Sequence, residues 1–246
     1  MSLESQVAAL VATTQELTVQ VAGKMVQINT QVASKIAELD AWKAAASPEK
    51  RITTEIKIGG SKDYFYPVWW KTLGAGTNGT HRLSIHRSYY LNGAENERPL
   101  NPAGPHQAGL LLELEISDCG VGGDPKFLEI KRFGETYNRT IANVQHQLTG
   151  KQYRIDPAGI AYGGVADGVA SPCGFISGLY LRGGGLTYNI TTNQDLVNFG
   201  YHNGASLAPA EVCRMDGVNA RWLVDPLPLA DGVAPTIDLA AFTVPA

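Results

Sequence analysis

The hydrophobic rhythm of the chain changes once, near residue 48. Apolar or near-apolar residues fall at Leu3, Val7, Leu10, Thr14, Leu17, Val21, Met25, Ile28, Val32, Ile36 and Leu39, spaced by 4, 3, 4, 3, 4, 4, 3, 4, 4 and 3. The first half is a heptad seam, in which a helix turns one face to a partner every 3.5 residues on average. From Val21 to Val32 the period is eleven, so a supercoil straightens or turns right-handed there. Between Leu3 and Trp42 there is no proline and one glycine, Gly23. The pattern therefore predicts one helix of about 40 residues, about 60 Å long. Pro48 disfavours helix at Ser47 and closes the segment.

Beyond Pro48 the period shortens to two. Ile52, Thr54, Ile56 and Ile58 alternate with Thr53, Glu55 and Lys57, and Leu110, Leu112, Leu114 and Ile116 share one face of a second run. Further strands are predicted at 64–70, 82–86, 126–132, 152–155, 174–181, 186–192 and 220–224, separated by Gly-, Pro- and Asn-rich turns. No strong amphipathic helix interrupts them, so a βαβ sheet is disfavoured. The fold class expected is mainly β: a long N-terminal α-helix forming a coiled coil, with a trimeric assembly preferred and a dimer left open, followed by a β-sandwich-like knob. The domains expected are a stalk at 1–47, a β-rich tip at 48–225 and an extended C-terminal arm at 226–246, rich in Pro and Ala.

The helix carries few charges, so ion pairs within it cannot hold it. Its apolar stripe needs a partner: further copies of itself, or the chain's own β domain. Self-association is the preferred reading, with Leu10, Leu17, Val21, Ile28, Val32, Ile36 and Leu39 at the interface. Mixed β-branched and leucine core positions do not specify a parallel dimer, so a homotrimer is allowed.

The chain has 246 residues, 44% hydrophobic content and a formal net charge of −3, which gives no electrostatic reason to expect nucleic acid or an anionic membrane as partner. The N-terminus lacks a basic region and a long apolar run, so no signal peptide and no membrane insertion are expected. Cys119, Cys173 and Cys213 are an odd, widely spaced set, which argues against a disulfide framework and a zinc motif.

Several motifs invite chemistry. Residues 74–79, GAGTNG, match a dinucleotide-binding glycine pattern, but the following segment reads as strand, so a hairpin turn is expected. Glu113 and Glu115 share a strand face, as paired carboxylates of a glycosidase do, and equally as the solvent face opposite four apolar residues. The five histidines include no H-x-H pair, and His81 and His86 should face opposite sides of a strand. No metal and no cofactor is expected, although a site formed by several copies at a threefold axis stays open. The chain is read as a non-enzyme, with no catalytic residues. Binding candidates are loop residues that combine rings with amides and charges: Tyr162, Asp167, Tyr201, His202, Asn203, Arg98 and His106.

Residues 178–190, GLYLRGGGLTYNI, are the most distinctive stretch. Three glycines in a strand permit a bulge or close backbone approach, and Arg182 can satisfy a carboxylate or several carbonyls. A phosphate cradle is the weaker alternative, because such cradles lead into a helix.

Together with YFYPVWW at 64–70, RLSIHRSYYLN at 82–92 and HQAGLLLELEI at 106–116, this stretch resembles the C-terminal domain of bacteriophage tail-fibre and receptor-binding proteins, over roughly residues 52–192. The resemblance implies a homotrimer in the virion tail, made in the host cytoplasm. It implies contact with other tail or baseplate proteins and adsorption to a bacterial surface receptor, a glycan or an outer-membrane component, by multivalent, non-enzymatic binding. Two alternatives remain: a structural fibre, collar or baseplate protein that contacts other virion proteins, and a glycan-degrading tailspike. The chain lacks the long repeats usual in the last.

Overall fold

The computed structural model describes residues 2–45, 51–71, 81–89, 100, 106, 108–116, 128–145 and 147–235. The chain divides into two units, Met1–Glu49 and Lys50–Ala246; among the described residues, helix is confined to the first apart from two short 3-10 turns, and strands to the second.

The first unit is one helix, α1, Leu3–Ala45. Ser2 precedes it and receives the Ser5 and Gln6 amides on its carbonyl. Every side chain from Ser2 to Lys43 is exposed, including all seven expected interface residues. Lys35–Glu38 is the one ion pair on it among the described residues. The hydroxyl of Thr14, a seam residue, donates to the Leu10 carbonyl one turn back. Thr14 can therefore enter an apolar seam without carrying an unpaired donor with it.

The second unit contains fourteen strands among the described residues: β1 Ile52–Ile58, β2 Tyr64–Lys71, β3 His81–Arg87, β4 Gly109–Ile116, β5 Leu128–Thr136, β6 Ile141–Gln145, β7 Thr149–Tyr153, β8 Val169–Pro172, β9 Ser177–Arg182, β10 Leu186–Thr192, β11 Val197–Tyr201, β12 Ala210–Met215, β13 Ala220–Val224 and β14 Leu227–Pro228. They form a first sheet in the order β1-β10-β3-β4-β5, a central sheet β11-β2-β9-β6 and a third sheet β12-β13-β7-β8. All pairings are antiparallel.

The central sheet is covered on both faces. Tyr66, Val68 and Trp70 of β2 and Leu179 and Leu181 of β9 meet Ile56, Leu83, Ile85, Leu112 and Tyr188 of the first sheet in one core. Phe65 and Tyr180, from the alternate positions, meet Val212, Trp222 and Val224 of the third sheet in a second core. Double burial explains why 64–70 and 177–182 read as nearly unbroken apolar runs, whereas β4 alternates. The fold is a sandwich with a third layer, which the sequence reading did not anticipate. Pro67, inside a central strand, lies where the neighbour of β2 changes from β14 (paired at 64–65) to β11 (paired at 68–71), so its missing N–H interrupts neither ladder.

The Arg182 stretch makes the corner between the sheets. After β9 the chain leaves the central sheet and enters β10 in the first, while residues 59–63 make the same crossing from β1 to β2. The amides of Gly183, Gly184 and Gly185 donate to the carbonyls of Tyr64, Gly59 and Ile58 at 2.9–3.0 Å. Arg182 is buried, and its Nε and Nη1 donate to the carbonyls of Lys62 (2.6 Å) and Arg139 (3.1 Å). Burial lowers the Arg182 pKa, opposed by nearby groups that include Asp63 and Glu135. No glycine amide here is left for an anion, so the phosphate alternative falls and carbonyl binding by Arg182 stands.

Residues 226–235, the described part of the expected extended C-terminal arm, run along the β unit: β14 pairs with β2, the Leu229 amide donates to the Asp63 carbonyl, and the Val233 carbonyl accepts the Asn143 amide. Strands β6, β8, β11 and β12 were not expected. The GAGTNG turn, Cys119 and residues 236–246 lie outside the described residues.

A Cβ on Gly183 would collide with the Tyr66 ring and the carbonyl oxygens of Gly59 and Ser61, whereas one on Gly185 meets open space. Gly183→Ala is expected to cost stability at the upper end of roughly 1–3 kcal/mol. Gly185→Ala should cost only the strain of its positive φ, about 1 kcal/mol. Urea unfolding of the two variants checks the order, and equal losses would contradict it.

Candidate functional site

Most loop residues singled out from the sequence are engaged within their own loops. The carbonyl of Tyr162 accepts from Gln152, and its ring meets Trp222 edge-on at 5.8 Å, at the margin of the second core. Asp167 accepts the Arg154 amide at 2.8 Å and faces its guanidinium, which holds the carboxyl below its ordinary pKa, the backbone bond being the larger cause. Tyr201 ends β11 half-buried against the first core. The Nδ1 of His202 accepts the Gly204 amide, and its Nε2 donates to the Ala208 carbonyl, so both ring nitrogens organise the 202–208 loop. Asn203 closes a turn by accepting the Ala205 amide. Tyr162 and Asp167 thus shape the loop between β7 and β8, and His202 and Asn203 the loop after β11. Arg98 lies outside the described residues.

His106 is different. Antiparallel pairing brings the end of β3, the start of β4 and the end of β5 to one end of the first sheet. There the His106 ring stacks on Tyr137, with centroids 4.7 Å apart and planes 17° apart. Tyr89 completes the group, 5.6 Å from His106 and 5.4 Å from Tyr137. Tyr89 is 46% exposed and Tyr137 58% exposed, so two large rings of the cluster face water.

The backbone beneath is specialised. Tyr137 has φ +64°, and the other non-glycine residues with positive φ among those described are Asn143, Asn198 and Asn219. Asparagine tolerates this region, while a bulky ring there carries strain. The Glu135 carboxylate holds the turn by accepting from the Thr140 amide, the Thr140 hydroxyl and the Ile141 amide, at 2.7–2.9 Å. Gly109 stands opposite Thr136, and a Cβ on it would collide with the Thr136 side chain and lie 2.9 Å from the Tyr89 Cβ. The glycine thus lets the two neighbouring strand ends close in around β4.

Sequence reasoning found His106 and missed Tyr89 and Tyr137. Tyr89 lies beyond the strand expected at 82–86, and nothing local in ETYNRT (135–140) marks Tyr137 as left-handed. The one available signal was the glycine of the AGLL run, which admits a close neighbour.

The other chemical candidates have structural partners. Glu115 pairs with Lys131 at 2.9 Å, and Glu113 stands opposite Arg132. His81 is buried, its pKa lowered by that burial, and His86 is exposed, as their spacing required. Cys173 and Cys213 form no disulfide and come together between the β8–β9 link and β12, where a hydrogen bond from Cys173 lowers the Cys213 pKa. Among the described residues no group of three metal-ligating side chains occurs, and no helix is long and apolar enough to cross a membrane.

Tyr137→Asn relieves about 1 kcal/mol of backbone strain and loses two exposed ring contacts of similar total worth, about 0.5–1.5 kcal/mol each when fully formed. Its stability should stay within about 1 kcal/mol of the parent protein. A loss above about 2 kcal/mol in thermal or urea unfolding would make Tyr137 an ordinary packing residue.

No family model, curated protein or solved structure matches the chain, and the reading of the site rests on its own geometry.

Proposed function

We propose that the chain is a fibre-type receptor-binding protein of a bacteriophage tail, a parallel homotrimer that adsorbs to a bacterial surface receptor without degrading it. The observation that carries this reading is the helix seam. Leu10, Leu17, Val21, Ile28, Val32, Ile36 and Leu39 are each between 50% and 67% exposed on a 43-residue helix. Leaving so many aliphatic side chains in water is unfavourable, at about 1.5–3 kcal/mol for a fully exposed side chain relative to a buried one. Copies of the same helix cover such a seam in register. Three copies would then hold three β units together, and multivalent attachment can exceed a single site by about 10²–10⁴-fold. Weak individual contacts therefore suffice, which fits a shallow aromatic patch better than a deep pocket. Other tail or baseplate proteins are the expected partners within the particle.

Adsorption of the purified protein to candidate host cells, followed by analysis of the supernatant for released oligosaccharide, tests the reading. The full-length protein should bind and release nothing. Ile28→Asp places an unpaired carboxylate in each copy of the seam, at a cost of several kcal/mol, and should weaken adsorption at least tenfold while the β unit stays folded. Glycan release would favour the tailspike alternative. Tight binding to another virion protein, with none to any bacterium, would favour the structural one.

A further inference from the structure

We infer that the Tyr89–His106–Tyr137 cluster is a carbohydrate-binding platform that takes one uncharged pyranose ring by stacking against its C–H face. The inference rests on the receptor-binding reading for its biological setting, but the geometry stands apart from it.

Three features of the cluster point to a ligand. Two of the three rings, Tyr89 and Tyr137, are exposed although they contact each other and the half-buried His106, so they do not serve to fill a core. Tyr137 occupies a backbone conformation that its neighbour Asn138, one residue later, would adopt with less strain. Strain of this kind persists where surrounding structure enforces it, and it gathers at ligand sites. Here the enforcement is visible in the three hydrogen bonds to Glu135 Oε1 and in the bare backbone of Gly109.

The ring types and their surroundings select the class. A pyranose offers an apolar C–H face bordered by hydroxyl groups. Tyrosine and histidine offer an apolar face bordered by a hydroxyl or ring nitrogens. Exposed Thr136 and Asn138 flank Tyr137 and add a hydroxyl and an amide to the rim. Among the described residues next to the rings, charge is engaged elsewhere: Glu135 serves the turn, and Arg87 is buried, donating to the carbonyls of Ala108 and Thr187. A platform built in this way favours a neutral sugar over an anionic one.

Saturation-transfer NMR on the full-length protein, with millimolar methyl α-glucoside, methyl α-galactoside and N-acetylglucosamine as separate probes, tests the inference. Transfer should reach the C–H protons of one face of at least one of these sugars. Tyr137→Phe should keep the affinity within about threefold, because the stacking face is retained. Tyr137→Asn should weaken it at least tenfold with the melting temperature within about 4 °C of the parent protein. No transfer to any of the three sugars, response only to an anionic sugar such as N-acetylneuraminic acid, or full binding by Tyr137→Asn would overturn it. Adsorption to cells without sugar binding would leave the fibre reading and remove this site. Sugar binding without adsorption to any bacterium would do the reverse.

Discussion

A single buried guanidinium holds the corner of the β unit. Arg182 reaches the carbonyl of Lys62 in the crossing from β1 to β2, and that of Arg139 in the turn from β5 to β6. Its own amide donates to the Thr140 carbonyl, and its carbonyl accepts the Tyr188 hydroxyl. Three passages of chain between the first and central sheets are thus tied at one residue. Hydrogen bonds from a charged donor contribute about 1.5–3 kcal/mol each, and a buried carbonyl left without one is costly. Gly183 and Gly184 make the arrangement possible, because only a backbone without Cβ can lie this close to residues 59–62.

The same corner positions the candidate site. Residues 136–140 carry Tyr137 at one end and the Arg182-bound carbonyl of Arg139 at the other. Glu135 fixes this turn from inside, so one short segment both closes the sandwich and presents an exposed ring. Rigid presentation matters for a shallow site. A platform that does not have to order its own side chains on binding loses less conformational entropy to its ligand.

The sequence made some of this architecture legible and concealed the rest for physical reasons. Strands β10 and β13 were expected at the residues where they occur, since strict alternation at 186–192 and a compact apolar run at 220–224 leave little ambiguity. Strand β5 was expected at 126–132 and lies at Leu128–Thr136, because its charged, half-exposed residues blur its limits. Strand β11 was read as a loop: Asn198 is left-handed and the register with β2 shifts there, so its alternation is broken. The third sheet was not legible as a layer, although β13 was expected and the strand expected at 152–155 overlaps β7, because its strands are short and β7 and β8 contain Lys, Gln, Ser or Pro rather than an apolar period. His106 was legible as a ring in a loop. Tyr137 was not, since a left-handed φ is imposed by Glu135 and the crossing of sheets rather than by neighbouring residue types. The polar groups of His202 and Asn203 were legible, but their engagement with their own loop depends on folded geometry that composition does not carry.

The central claim is that the seam on α1 is covered by copies of the same chain, and the molar mass in solution tests it most directly. Multi-angle light scattering on the full-length protein at micromolar concentration should give three times the 26.3 kDa chain mass. A single-chain mass under those conditions would contradict the account.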